Sequence, residues 1–255
     1  MPRYFLKMAF RGTAYHGWQQ QENAHTVQAE MNEKIGLLCR QKVNVTGCGR
    51  TDAGVHAREF FLHFDLENPL PFSSEQFVLK LNRFLPSDIV VYGVWETSPE
   101  AHARFDAVSR TYRYYIALQK DPFHEGLVMP FYGRLNVKAM QEAAGYLLKY
   151  SDFTSFSKLH TQTATNICHI SQAGWEQKGP LLIFTITADR FLRNMVRAIV
   201  GTLLETGRGR MEPAGIKQII EAHNRSSAGF SVPAEGLFLE KIRYPDNLET
   251  LFKQI

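Results

Sequence analysis

Val43-Asn-Val-Thr-Gly47-Cys-Gly-Arg50-Thr51-Asp52-Ala-Gly-Val-His56-Ala57 is the stretch on which the reading of this chain turns. The alternation from Val43 to Thr46 predicts a short strand. That strand delivers Asp52 onto a glycine-bounded loop, where backbone can approach a ligand closely. Arg50 stands two positions from Asp52, placed to pair with it and hold it ionised. An oriented aspartate with no second carboxylate beside it suits nucleophilic work better than paired acid/base work.

Other readings of the loop divide on spacing. A phosphate-cradling loop needs Lys-Ser/Thr directly after its second glycine, but Val55-His56 follows Gly54. The dinucleotide fingerprint fails because Asp52 stands where its third glycine belongs. Asp52, His56 and Cys48 could together approach a metal, yet no second His/Cys cluster has ligand spacing, so no metal is assigned. A structural turn closed by an Asp–Arg pair stays open as the plain alternative.

Outward from the loop, Tyr4 to Phe10 alternates as a half-buried strand. Thr26 is placed to cap a helix over Val27–Leu38. Phe60 to Asp65 reads as a strand, Ser73/Ser74 opens a helix to Phe84 that Pro86 stops, and Ile89 to Trp95 is strand-like. This β-α-β-β-α-β order is the split-βαβ arrangement of ferredoxin-like domains.

A second round follows: a strand over Arg110–Ala117, a helix over Val137–Tyr150, and a hairpin from Asn166–Glu176 and Leu181–Ala188 around Lys178-Gly-Pro180. Helices over Phe191–Thr206 and Pro213–Ala222 and a strand over Leu237–Tyr244 complete it. The expected fold is therefore α+β: two ferredoxin-like halves forming a mixed, mainly antiparallel sheet, with helices on one face and a central basic cleft. Residues 1–100 would form the half with the aspartate loop. Residues 101–255 would form the half with a tyrosine strand and a basic helix.

The 255 residues are 44% hydrophobic and 21% charged, which supports a real core and excludes wholesale disorder. A net charge of +4 fits a polyanionic partner without demanding one. Cys39, Cys48 and Cys168 form no CxxC pair and fit reduced thiols in a cytoplasmic protein. Met-Pro-Arg-Tyr-Phe-Leu-Lys has no signal-peptide-like apolar run, and no apolar stretch approaches membrane-spanning length.

Candidate binding residues lie beyond the loop. Arg110, Tyr112 and Tyr114 share one strand face, as in RNA-binding sheets that stack bases and hold phosphates. The same pattern suits a core strand whose arginines reach water. Arg190, Arg193 and Arg197 fall at i, i+3 and i+7 and would align on one helical face suited to phosphate contacts, or simply to solvent. His102-Ala-Arg104-Phe105 is a further basic-aromatic cluster, and Lys158 and His160 lie in a polar loop that could touch RNA.

At these residues the chain resembles the TruA-type tRNA pseudouridine synthases, nearly end to end and in order. The shared segments are Tyr15-His-Gly17-Trp18-Gln19, Gly49-Arg50-Thr51-Asp52-Ala-Gly-Val-His56, Leu81-Asn82-Arg-Phe-Leu85-Pro86-Ser-Asp88-Ile89 and His102-Ala-Arg104-Phe105. They continue through Arg110-Thr-Tyr112-Arg-Tyr114, Asp152-Phe-Thr-Ser-Phe156, Met195-Val-Arg197-Ala-Ile-Val-Gly201 and Ala234-Glu235-Gly236-Leu237.

The resemblance implies a homodimeric isomerase, without metal or organic cofactor, that converts uridine to pseudouridine at positions 38–40 in the anticodon stem-loop of tRNA. Asp52 matches the family's catalytic aspartate and Tyr112 the tyrosine that stacks on the target base. Arg50 would help to flip out the uridine, and Arg197 would pair with Asp52. Arg110 and Leu237 would complete the substrate site, with Arg190, Arg193, Arg104 and Lys158 on the RNA. Arg58-Glu59-Phe60 departs from the family's pattern of a small residue and glutamine. Two other classes stay open: a non-catalytic RNA-binding protein, and a hydrolase using Asp52 and His56.

Overall fold

The structure is a computed structural model and describes residues 1–158 and 165–253. His160, a candidate RNA contact, lies outside the described residues. The chain forms two compact units, Met1–Val108 with Leu239–Ile255, and Ser109–Phe238. The sequence reading divides the chain at residue 100 and keeps its end with the second half; the fold gives that end to the first unit.

The first unit holds β1 (Arg3–Phe10), α1 (Val27–Cys39), β2 (Thr46–Gly47), β3 (His56–Asp65), α2 (Ser74–Phe84) and β4 (Ile89–Thr97). β1 is central and antiparallel to both β3 and β4. Both helices start where capping chemistry places them: Thr26 Oγ1 accepts from Ala29 N–H and Ser73 Oγ from Gln76 N–H. Asn82 on α2 bonds both backbone groups of Val91 on β4 at 2.8 Å, fastening helix to strand.

The strand expected over Val43–Thr46 shrinks to Thr46–Gly47. Val43 and Val45 are buried as their alternation requires, but the backbone of Val45 is satisfied by side chains of α1. Its N–H donates to Asn32 Oδ1 and its carbonyl accepts from Gln28 Nε2, both at 2.8 Å. Backbone groups need partners, and α1 supplies them where a strand would have.

The second unit holds β5 (Ser109–Ala117), β6 (Met129–Pro130), α3 (Val137–Tyr146), β7 (Ile170–Lys178), β8 (Leu181–Ala188), α4 (Met195–Gly207) and α5 (Gly215–Glu221). β8 is antiparallel to both β5 and β7, and the short β6 pairs with β5 in parallel. α4 buries eleven of its thirteen residues, so it is a core helix rather than a solvated amphipathic one.

The expected helix over Phe191–Thr206 begins four residues late. Asn194 adopts a left-handed backbone at φ 66°, so residues 190–194 are an irregular lead-in. Arg190 and Arg193 therefore do not lie on a helix with Arg197.

The chain returns through β9 (Leu237–Arg243), whose residues from Leu239 onward belong to the first unit, and ends in α6 (Asp246–Leu251). Here the Arg58-Glu59 departure finds its use. Glu59 accepts Ile242 N–H at 2.9 Å and pairs with Lys7 at 2.8 Å, while Arg58 pairs with Glu240 at 3.2 Å. Phe252, after α6, packs its ring 4.8–5.7 Å from Phe5, Phe61, Trp95 and Tyr244. The fold is thus α+β with mostly antiparallel strand pairing within each unit, as the element order predicts.

Candidate active site

The Asp52 loop is held by the segment Gly12–Trp18. Trp18 N–H donates to Thr51 O at 3.2 Å, Gly54 N–H donates to Tyr15 O at 3.3 Å, and Val55 N–H closes a turn onto Asp52 O at 3.1 Å. Gly17 sits at φ +91°, and a Cβ there would stand 2.5 Å from Thr51 O. Only glycine permits both the left-handed backbone and that approach.

The clamping segment is itself anchored. Trp18 packs against Phe60 with ring centroids 4.2 Å apart and the rings tilted, and Tyr15 Oη donates to Asp88 Oδ1 at 2.7 Å. Burial raises the Tyr15 phenol far above its ordinary range, and the bond to Asp88 adds to the shift. The shared Tyr15 and Asp88 segments are thus joined as support for the Asp52 loop.

Within the loop, Asp52 is half-buried and Arg50 exposed. The expected Arg50–Asp52 pair does not form: among the described residues Arg50 makes no ion pair. Thr51, between them, is buried at 8% exposure, and its Oγ1 is sealed from solvent without a hydrogen-bond partner among the described residues. No spacing in the sequence marks this hydroxyl. His56 is 1% exposed, with Nδ1 accepting Gly12 N–H at 2.9 Å. That bond uses the nitrogen lone pair a metal or a proton would need, which makes His56 scaffold for the loop.

Arg104 is exposed in the first unit, its guanidinium 5.8 Å from the Phe105 ring. Both Arg104 and Phe105 donate their N–H groups to His102 Nδ1.

The second unit carries the remaining candidates. Tyr112 lies on β5 opposite Ile186, half-buried, with its ring 5.1 Å from Phe191 and nearly perpendicular to it. Arg110 donates from Nη1 to Asp189 O at 2.7 Å. Burial alone would raise the Asp189 carboxyl, but hydrogen bonds from His169 and Arg190 N–H hold it below its ordinary value. Arg190 is half-buried and Arg193 exposed; Lys158, also exposed, donates its N–H to Arg193 O at 3.1 Å, so these two cations are neighbours.

Arg197 sits in the first turn of α4 and donates from Nε to Val232 O at 2.7 Å. Leu237 is buried at the start of β9. The second unit therefore brings together an aromatic strand and several cations, while Asp52, Arg50 and Arg104 belong to the first.

Among the described residues no group of three or more His, Cys, Asp or Glu side chains could hold a metal ion. No helix among them is long and apolar enough to cross a membrane. Cys39, Cys48 and Cys168 form no disulfide among the described residues, and burial pushes the Cys39 and Cys168 thiols up to about 11, away from nucleophilic use.

A family model described as tRNA pseudouridine synthase matches residues 143–245. Over nearly all of its length the chain is similar to proteins named tRNA pseudouridine synthase A. It is 54% identical to that of Parabacteroides distasonis, over 97% of this chain and 98% of the relative. Identity is 51% with that of Porphyromonas gingivalis, over 97% and 99%, and 42% with that of Clostridium acetobutylicum, over 94% and 98%. The chain belongs to the tRNA pseudouridine synthase A family.

Proposed function

We propose that this protein isomerises uridine to pseudouridine at positions 38–40, in the anticodon stem-loop of tRNA, with Asp52 as the catalytic carboxylate. The reading rests on family membership and on one observation above all: a half-buried aspartate on a turn whose backbone is bonded on both sides. A carboxylate held this way needs little reorganisation when the substrate arrives.

The target base must leave its stack before any protein group can reach the glycosidic bond. Asp52 then promotes cleavage of the N1–C1′ bond, by attack on the sugar or by removal of a sugar proton. The detached uracil turns and rejoins the sugar through C5; C5 gives up its proton and the vacated N1 takes one up, so no atom is gained or lost. Tyr112 stacks on the base during this rotation. Arg197 pairs with Asp52, and Arg50, exposed beside it, flips the uridine and holds its phosphate. Arg110 and Leu237 line the nucleotide. Arg190, Arg193, Arg104 and Lys158 contact the RNA backbone, where each neutralised phosphate steepens the salt dependence of binding. The protein works as a cytoplasmic homodimer.

The hydrolase alternative loses support because His56 is committed to Gly12. A purely binding protein would gain nothing from an aspartate in a loop facing phosphates. The test is to map pseudouridine in tRNA after incubation with wild-type protein and with Asp52→Asn. The variant is expected to bind tRNA and form no pseudouridine; near-normal product would refute the assignment of Asp52.

A further inference from the structure

Arg197 is not aimed by α4 alone. A strap of chain, residues 228–233, lies across the first two turns of that helix in backbone contact. A Cβ on Gly201 would stand 1.8 Å from Phe230 O, and one on Gly229 would stand 2.9 Å from Thr202 N and Cα. Thr202 Oγ1 accepts Gly229 N–H at 2.9 Å. The strap then bonds Arg197 twice: Val232 N–H donates to Arg197 O at 3.3 Å, and Val232 O accepts from Arg197 Nε at 2.7 Å.

With Nε committed to the strap, the direction of the guanidinium follows the position of Val232. That position is set one residue earlier. Ser231 Oγ accepts from Asn194 Nδ2 at 2.6 Å and from Arg225 Nη2 at 3.0 Å. Asn194 reaches it from the residue just before α4, in a left-handed conformation that asparagine tolerates and most side chains do not. Arg225 also binds Gly229 O through Nη1 at 3.1 Å. One residue beyond Val232, Pro233 O accepts from Tyr114 Oη at 2.8 Å, on the strand that carries Tyr112.

We infer that the strap over residues 228–233 is the template that aims Arg197, and that Asn194 and Ser231 are positioning residues for the isomerisation. The inference rests on Arg197 acting at the reacting uridine. A guanidinium offers its fork in one plane, so a small shift of Val232 rotates the fork away from a carboxylate. A backbone constraint here spares the energy of ordering a long side chain at each turnover.

The test measures kcat and KM for pseudouridine formation in Asn194→Gly, Ser231→Ala and Ser231→Thr, alone and with Arg197→Lys. Asn194→Gly keeps the left-handed backbone and removes only the amide. Asn194→Gly and Ser231→Ala are each expected to lower kcat roughly ten- to a hundredfold, the scale of an ångström-level misplacement. KM should stay within about twofold, as for an interaction felt only at the transition state. Ser231→Thr keeps the hydroxyl and should retain kcat.

In the Arg197→Lys background the Ser231→Ala loss should vanish, because the group it aims is gone. Unchanged kcat in both variants, or losses that add fully to Arg197→Lys, would overturn the inference and leave the strap a packing element. If Arg197→Ala itself keeps wild-type kcat, the functional reading of Arg197 fails first, an outcome distinct from the other two.

Discussion

His63 should make this protein begin to lose stability in mildly acidic solution, before its carboxylates start to protonate. Its ring is 5% exposed, stacked on Phe5 at 5.8 Å and edge-on to His102 at 4.6 Å. Nδ1 accepts Ala103 N–H at 3.1 Å, so the folded state requires a neutral ring with its proton elsewhere. Burial pushes the pKa down from 6.5 to about 4; Arg3 and His102 add to the shift, against Asp65 and Asp106.

Between those two values the unfolded chain binds a proton at His63 that the folded chain refuses. Stability is therefore complete above the unfolded value and falls as pH drops through the window. The drop is worth about 3 kcal/mol at 1.36 kcal/mol per unit. His102, depressed chiefly by burial, acts with the same sign. Asp65 does not compete there, because its hydrogen bonds to Arg3 hold its carboxyl below 3.8.

The assay is urea unfolding from about pH 7 to about pH 4, for wild type and His63→Asn. Asparagine puts Oδ1 close to the place of Nδ1 and never titrates. The variant should be weaker at neutral pH, from lost ring packing, with a shallower decline. Parallel declines in the two proteins would refute the reasoning.

Two further outcomes are expected. Thr51→Val removes a buried hydroxyl without a partner and keeps the side-chain shape. Neutral-pH stability should rise by about 1 kcal/mol, with Tm up by about 2–4 °C; an unchanged or lower Tm in calorimetry would mean that the hydroxyl is satisfied in solution. Arg193→Ala should weaken tRNA binding and reduce the slope of log K against log salt by about 1, measured by filter binding. An unaltered slope would assign this exposed arginine to solvent.

Local signals carried much of the fold because their partners are near in sequence. Thr26 and Ser73 each needed only the N–H three residues on, so both helix starts were legible. Leu181–Ala188 was legible to the residue, since alternation and the Lys178-Gly-Pro180 turn agree. Val43–Thr46 misled because burial pattern says nothing about who satisfies the backbone, and here Asn32 and Gln28 do.

The arginine stripe misled for a related reason. Helical spacing assumes continuous helix, and Asn194 interrupts it in a conformation that spacing cannot report. The loop around Asp52 was visible as a motif, but its clamp from Gly12–Trp18 depends on contacts roughly forty residues apart in sequence. The strap over Arg197 was invisible for the same reason. Only family resemblance marks the segment Ala234-Glu235-Gly236-Leu237 in the sequence, and the chain just before it carries the bonds to Arg197.

The unit that carries Asp52 is written in two pieces, with all of Ser109–Phe238 between them. This has a consequence for the order of assembly at the ribosome. The inserted unit is continuous and can fold once its own residues have emerged. The first unit must wait for Leu239 onward, although most of its residues are made before the inserted unit, which reverses the usual N-terminal-first order of domain completion. Until Ile242 reaches Glu59 and Phe252 reaches its aromatic neighbours, β3, which leads directly out of the Asp52 loop, has an unfinished flank. The nascent chain thus spends its longest wait with its chemistry-bearing unit incomplete, and late truncations should harm that unit first.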